Sequence, residues 1–242
     1  MCYTVANNKT DKELQVKYNK KMDDVVKSRQ KAFYLNGFGH PNLAIIKSEQ
    51  SDTITVGKWG LVPSFITDSL QAKEYMVNTL NAKSETIFEK VSFKRSIMPR
   101  RCLIPVTGFY EWRDLNKIKY PYYIGLKDEE IFSLGGIYDT WKNKETEETI
   151  TTFSIITTEA NPLMAKIHNL KLRMPLILNK EAEDRWLNPD LNETQVKELM
   201  QPLPDSFMQA HTIKKISPKT VDVFSEELIK AVEYPELVLL ES

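Results

Sequence analysis

Cysteine is scarce in this 242-residue chain, which holds only Cys2 and Cys102. Two thiols are too few for a disulfide scaffold, and no C-x-x-C spacing suggests a metal site. The three histidines, His40, His168 and His211, do not cluster. An excess of one charge is also lacking. The 33 Lys and Arg balance 33 Asp and Glu, which excludes a globally basic surface that draws in nucleic acid. Any such binding must come from a local patch. No apolar run reaches the roughly 18 residues needed to span a bilayer, and the N-terminus has no apolar core of a secretory signal. These absences point to a reduced, cytoplasmic setting, with no membrane, metal or cofactor required.

What is present suits a globular fold. Hydrophobic residues are 41% of the chain and charged residues 27%, and this length can bury a sizeable core. No repeat, low-complexity tract or clear linker divides it, so one domain over residues 1–242 is expected. Residues 11–33 carry Leu14, Tyr18, Met22, Val25, Val26 and Phe33 at roughly helical spacing, which predicts a long amphipathic helix capped by Asp11 and stopped at Gly37 and Gly39. β-like runs follow at 42–47, 53–63, 101–112, 121–126, 131–141 and 149–158, separated by polar turns. Helices are expected at EANPLMAKIHN, EAEDRWL and ETQVKELM. Strands are expected at RMPLIL (173–178), TIKKI (212–216) and LVLLE (237–241). Strands in runs with helices at the edges indicate an α+β fold with a mainly antiparallel sheet, not βαβ repetition.

Four segments carry residues that a core does not require: Met1-Cys2, NAKSET (81–86), RRCLIPVTGFYEW (100–112) and IHNLKLRMPLIL (167–178). If Met1 is removed, Cys2 bears a free α-amine beside its thiol, a 1,2-aminothiol that no internal cysteine can supply. Ser84 reads as a helix N-cap. Asn81 reads as a satisfier of backbone groups, although its amide can also orient a nucleophile. Strand alternation puts Phe109 and Glu111 on one face and Tyr110 and Trp112 on the other. Glu111 is then either a solvent-facing strand glutamate or a buried carboxyl of raised pKa suited to proton transfer; the residues alone leave both open. His168, near a helix end, is more often structural than catalytic, and the basic Lys171 and Arg173 follow it.

Taken in order with WGLVP (59–63), these segments resemble the SRAP family (SOS response-associated peptidases, which include abasic-site shielding proteins) over about residues 1–180. The resemblance implies a strongly curved or barrel-like sheet with flanking helices. It implies that Cys2 is the nucleophile after Met1 removal, with Asn81, Glu111 and His168 as the other active-site groups. It also implies a monomer that crosslinks to abasic sites in single-stranded DNA during the DNA damage response, as well as an autoprocessing peptidase activity. Lys83, Arg100, Arg101 and Arg173 are the expected phosphate contacts, with Arg95 undecided and Trp59 and Leu61 near a base step. In this scheme Glu111 shuttles protons, His168 protonates the sugar ring oxygen or hydroxyl, and Asn81 holds the Cys2 end. The chain departs from the family pattern in four places. Tyr3-Thr4 stands for Gly-Arg, Lys83 for Arg, Phe65 for Trp, and three extra residues separate His168 from Arg173. Two other classes stay in view: a cysteine peptidase with Cys2 as nucleophile, for which the C-G-[SA]-C-[WY] context is missing, and a non-covalent single-strand DNA-binding domain.

Overall fold

The computed structural model describes residues 2–217 and 220–238. Among these the chain runs β1 (Thr4–Asn7), α1 (Asp11–Tyr18), β2 (Lys21–Met22), β3 (Ala32–Asn36), β4 (Asn42–Lys47), β5 (Thr53–Trp59), α2 (Ser69–Asn78), β6 (Asn81–Lys83), β7 (Arg101–Val106), β8 (Gly108–Leu115), β9 (Ile118–Leu126), β10 (Phe132–Lys142), β11 (Thr149–Glu159), α3 (Pro162–Ile167), β12 (Arg173–Pro175), β13 (Ile177–Leu178), α4 (Lys180–Leu187), α5 (Glu193–Leu199), β14 (Met208–Thr212) and α6 (Pro235–Val238). No helix among the described residues is long and apolar enough to cross a membrane.

Strands β5, β4, β7, β10 and β11 pair antiparallel in that order. β11 then returns to β5 in parallel, Phe153 opposite Trp59, and closes a five-stranded barrel. Closure removes the free edges that an open sheet would expose. A second, antiparallel sheet runs β14-β9-β8-β1-β3. The fold is α+β, as expected.

The near-continuous apolar runs of the barrel strands have a physical reason: both of their faces are buried. Leu43, Ile45, Cys102, Ile104, Phe153 and Ile155 belong to one core, shared with Val5, Phe109 and Ile124 of the second sheet. The alternate residues Ala44, Ile46, Leu103 and Ile156 belong to another, against Trp186 and Leu187 of α4 and Val196 of α5. Gly60 ends β5 with φ +116°, and a Cβ there would lie 2.6 Å from the Met76 carbonyl oxygen. Only glycine fits both constraints.

Several expected elements differ. The stretch 11–33 is not one helix. α1 is capped by Thr10, not Asp11: the Thr10 hydroxyl accepts from the Glu13 N–H, and Glu13 accepts from the Thr10 N–H at 2.7 Å. This reciprocal pair is a capping box. Asn19, left-handed at φ 52°, ends the helix. Lys21 and Met22 then pair with Thr53 and Ile54 of β5; the sheet edge outcompetes a weakly amphipathic helix. No helix starts at Ser84, whose N–H donates to the Thr157 carbonyl at 3.0 Å and extends the β6–β11 pairing. RCLIPVTGFYEW is two strands, one in each sheet. The late strand is Met208–Thr212, so TIKKI lies almost wholly beyond it. Of LVLLE, 237–238 fall in α6 and 239–241 lie outside the described residues.

Candidate active site

Four elements, distant in sequence, bring Cys2, Asn81, Glu111 and His168 together. Cys2 lies two residues before the first residue of β1, which is held between β3 and β8; Val5 faces Phe109 and Ala6 faces Gly108. A Cβ at Gly108 would fall 2.3 Å from the Tyr123 ring, so the absent side chain lets β8 and β9 close up beside β1. The Gly37 N–H donates to the Tyr3 carbonyl at 2.8 Å and fixes the approach to β1. Met1 lies outside the described residues.

Asn81 opens β6, a short strand parallel to β11. The Leu80 carbonyl before it accepts from the buried Trp59 indole N–H at 2.8 Å and from the Ile155 N–H at 3.1 Å. So anchored, the Asn81 Nδ2 donates to the Cys2 carbonyl at 2.8 Å. Its Oδ1 is buried with no partner among the described residues. A satisfier of local backbone, the role the residues alone suggested, would bond its own loop; this amide instead reaches across 79 residues.

Glu111 sits on β8 opposite Tyr122 and is 4% exposed, which settles the two readings in favour of a buried carboxyl. Burial raises it from an ordinary 4.5 to about 7, because desolvation penalises the charged form. His168 caps the C-terminus of α3, a helix started by Asn161 and Pro162. The Asn161 side chain accepts from the Met164 N–H at 2.8 Å, and proline at the first helical turn needs no donor of its own. The His168 Nδ1 lies 2.9 Å from the Arg173 carbonyl. A carbonyl can only accept, so Nδ1 carries the hydrogen and Nε2 of the neutral ring is an acceptor. That Nε2 is 3.7 Å from Glu111 Oε2. Burial pushes His168 down to about 4. Desolvation thus drives both partners toward their neutral forms: near neutral pH His168 is uncharged and Glu111 is the group that titrates. The Cys2 thiol is fully buried, and burial followed by the Glu111 charge pushes it up.

A cavity of about 300 Å³ opens onto Glu111 and His168, lined also by Tyr3, Trp112, Leu170 and Lys171 among others. A second, of about 430 Å³, is lined by Asn81 and includes the exposed Lys83. Tyr3, Trp112, Leu170 and Lys171 were not among the sequence candidates. Their neighbours Cys2, Glu111 and His168 were the available signal, but which of them reach the cavity depends on loop course.

The expected DNA contacts divide sharply. Trp59 and Leu61 are fully buried; Trp59 stacks on Phe153 with centroids 6.2 Å apart. Neither presents a face to a base. Arg101 has no exposed surface. It donates to the carbonyls of Trp186 (2.9 Å), Ile97 (3.1 Å), Met98 and Asn188. It ties β7 to α4 and is no phosphate ligand. Arg173 is 9% exposed and committed to the Glu85 carboxylate and the Thr157 carbonyl. Arg100 is ion-paired with the buried Asp139 at 3.2 Å. Arg95 lies over the Phe65 ring at 4.9 Å. Of the named cations, Lys83 is exposed next to the site, on the same short strand as Asn81. The sequence marks a charge or an apolar ring but not what surrounds it in the fold, which explains these corrections.

A closed α+β barrel with a second antiparallel sheet, and a buried cysteine flanked by an amide, a carboxyl and an imidazole, define a cysteine-centred site. The family described as SOS response associated peptidase (SRAP) matches residues 1–218. The chain belongs to the SRAP family. It is 36% identical over 193 residues to the abasic site processing protein YoqW of Bacillus subtilis (strain 168), covering 78% of this chain and 81% of that one. It is 30% identical over 203 residues to the abasic site processing protein HMCES of Xenopus tropicalis, covering 73% of this chain and 56% of HMCES. A crystal structure of a protein from Bacteroides thetaiotaomicron superposes with a TM-score of 0.90 at 38% identity, covering 96% of this chain and all of that one.

Proposed function

We propose that this protein processes abasic sites in single-stranded DNA by forming a covalent thiazolidine between the Cys2 aminothiol and the ring-opened aldehyde of the lesion. The observation that carries the reading is the convergence on Cys2. The Asn81 amide bonds its carbonyl, and the Glu111 charge acts on its thiol. The His168 ring faces that same carboxyl at 3.7 Å. Relatives named as abasic site processing proteins support the substrate class.

The chemistry starts with hydrolysis of the Met1–Cys2 peptide bond, which consumes one water and frees the α-amine. A terminal amine, with pKa about 7.7–8.0, is partly neutral at pH 7, whereas a lysine at about 10.4 is not. The neutral amine attacks the aldehyde carbon, and the resulting carbinolamine loses water to give an imine. The Cys2 sulfur then adds to the imine carbon, its proton ends on nitrogen, and the five-membered ring closes. From free aminothiol and aldehyde to the closed ring, the sum is loss of one water. A carboxyl with pKa near 7 is suited to donate to the leaving hydroxyl and to accept again. The neutral His168, with Nε2 as acceptor, fits removal of the sugar hydroxyl proton during ring opening better than donation to the ring oxygen. Asn81 holds the Cys2 end in place.

Intact-mass spectrometry before and after mixing with an abasic single-stranded oligonucleotide tests this. The expected species lacks Met1 and then gains the oligonucleotide mass less one water. Cys2→Ala should yield no heat-stable adduct. An adduct of undiminished yield in that variant, or equal non-covalent retention of intact and abasic strands with no covalent species, would overturn the reading.

A further inference from the structure

The loop joining α3 to β12 projects beside the cavity that holds Glu111 and His168. Two of its side chains, Leu170 and Leu172, are 68% and 52% exposed, and Ile118 at the neighbouring β8–β9 hairpin tip is 47% exposed. Exposed apolar side chains scattered singly need no explanation, but three on a loop and a hairpin tied together beside a site mark a contact surface; Leu170 lines the cavity itself. The loop is pinned in place. The Asn169 side chain donates to the Asp114 carbonyl at 2.8 Å and accepts from the Asp114 N–H at 3.0 Å. The His168 carbonyl accepts from Leu172 at 2.9 Å, and the Leu172 carbonyl accepts from Ala160 at 3.0 Å. Leu172 is held at φ 51°, a left-handed conformation that a leucine adopts at a cost of about 1–2 kcal/mol. The hairpin beside it turns tightly through Asn116 and Lys117, both at positive φ, with Leu115 paired to Ile118. Lys119 and Lys171 flank the apolar tips, line the same cavity as Glu111, and are exposed. Neither is in an ion pair among the described residues, whereas Lys9, Lys17 and Lys47 each have an acidic partner.

We propose that this lip is the docking surface for the single-stranded DNA adjoining the lesion, with Leu170, Leu172 and Ile118 against base faces and Lys119 and Lys171 on phosphates. The proposal rests on the abasic-site reading above. Apolar tips flanked by cations match a strand that presents unstacked bases and a charged backbone together. A paired duplex hides its base faces and cannot use the apolar part. Leu170, Lys119 and Lys171 line the cavity itself, so a nucleotide held there fixes the position of its abasic neighbour relative to Glu111 and His168.

Two abasic oligonucleotides test it: one with ordinary flanking nucleotides, and one with base-free propanediol spacers on both sides of the lesion. Rates of covalent adduct formation are measured for the wild type and for the Leu170→Ala/Leu172→Ala double variant, whose changes are at the surface and whose fold is checked by circular dichroism. The wild type should lose roughly five-fold or more when the flanking bases are removed. The double variant should lose about that on the base-bearing strand and nothing further on the spacer strand. Lys119→Gln/Lys171→Gln should slow both substrates and reduce their salt dependence. Equal rates for double variant and wild type on both strands would overturn the proposal. So would equal losses on both strands, since the leucines then meet no base. If the wild type forms adduct and only these contrasts fail, the lip alone is refuted. If the wild type forms no Cys2-dependent adduct, the abasic-site reading falls and the lip with it.

Discussion

Replacing Glu111 with Gln should make the stability of this protein respond to pH in a defined direction. The carboxyl is 4% exposed and raised from 4.5 to about 7. Between those values the folded state binds a proton that the unfolded state has released. The stability this group contributes is therefore fully present below pH 4.5, falls as pH rises through 7, and levels off above that. A shift of this size corresponds to a ceiling of about 3 kcal/mol at 1.36 kcal/mol per unit. Glutamine keeps the shape and never ionises. Stability of Glu111→Gln relative to wild type should therefore rise by about 2–3 kcal/mol between pH 4.5 and pH 8. His168 moves oppositely: its depressed pKa of about 4 makes folding more favourable as pH rises from 4 to 6.5. That group is present in both proteins and largely cancels in the difference. Urea denaturation of both proteins at pH 4.5, 6, 7 and 8, with equal m-values, gives the comparison. A stability difference that does not vary with pH would refute the claim that burial raises this carboxyl, and with it the assignment of Glu111 as a proton shuttle near neutrality.

Further expectations follow from the same geometry. Arg101→Ala should destabilise the fold by about 3–5 kcal/mol, because several buried carbonyls lose their donor; adduct yield per folded molecule should be unchanged, by thermal melts paired with the adduct assay. Gly60→Ala should cost more than about 1–2 kcal/mol, from the left-handed φ and the Met76 carbonyl 2.6 Å away; urea denaturation measures it. The limb near pH 7 in the pH–rate profile of adduct formation should vanish in Glu111→Gln and persist in His168→Gln, since His168 is already neutral there. Adduct formation should slow as salt rises, with a shallow slope, because the net charge is zero and few phosphates are contacted.

Much of the fold was legible because its signals are local. The runs at 42–47, 121–126 and 149–158 became β4, β9 and β11, since unbroken β-branched and aromatic stretches fit a strand buried on both faces. The helix expected over EANPLMAKIHN became α3, shortened to Pro162–Ile167 because β11 runs on to Glu159 and Asn161 supplies the cap. The helix expected over 11–33 failed because its periodicity was weak and a distant sheet edge offered Lys21 and Met22 better partners. The candidate site was legible in part. Cys2, Asn81, Glu111 and His168 were named together only through the family resemblance of four segments, the residues alone favouring structural roles for Asn81 and His168, and the buried state of Glu111 was open until β8 was seen against β1 and β9. Arg101 and Trp59 were misplaced because a charge or an aromatic ring reads the same in a surface groove and in a core.

The sequence by itself determined the α+β class, most of the long strands and the place of a cysteine directly after Met1, all consequences of composition and short-range pattern. The tertiary structure alone decided the parallel β5–β11 closure, the reach of Asn81 to the Cys2 carbonyl, and the 3.7 Å approach of His168 to Glu111. It also decided which charges are spent inside the fold. The reason is that pKa and exposure are set by through-space neighbours, and here those neighbours lie scores of residues apart in the chain.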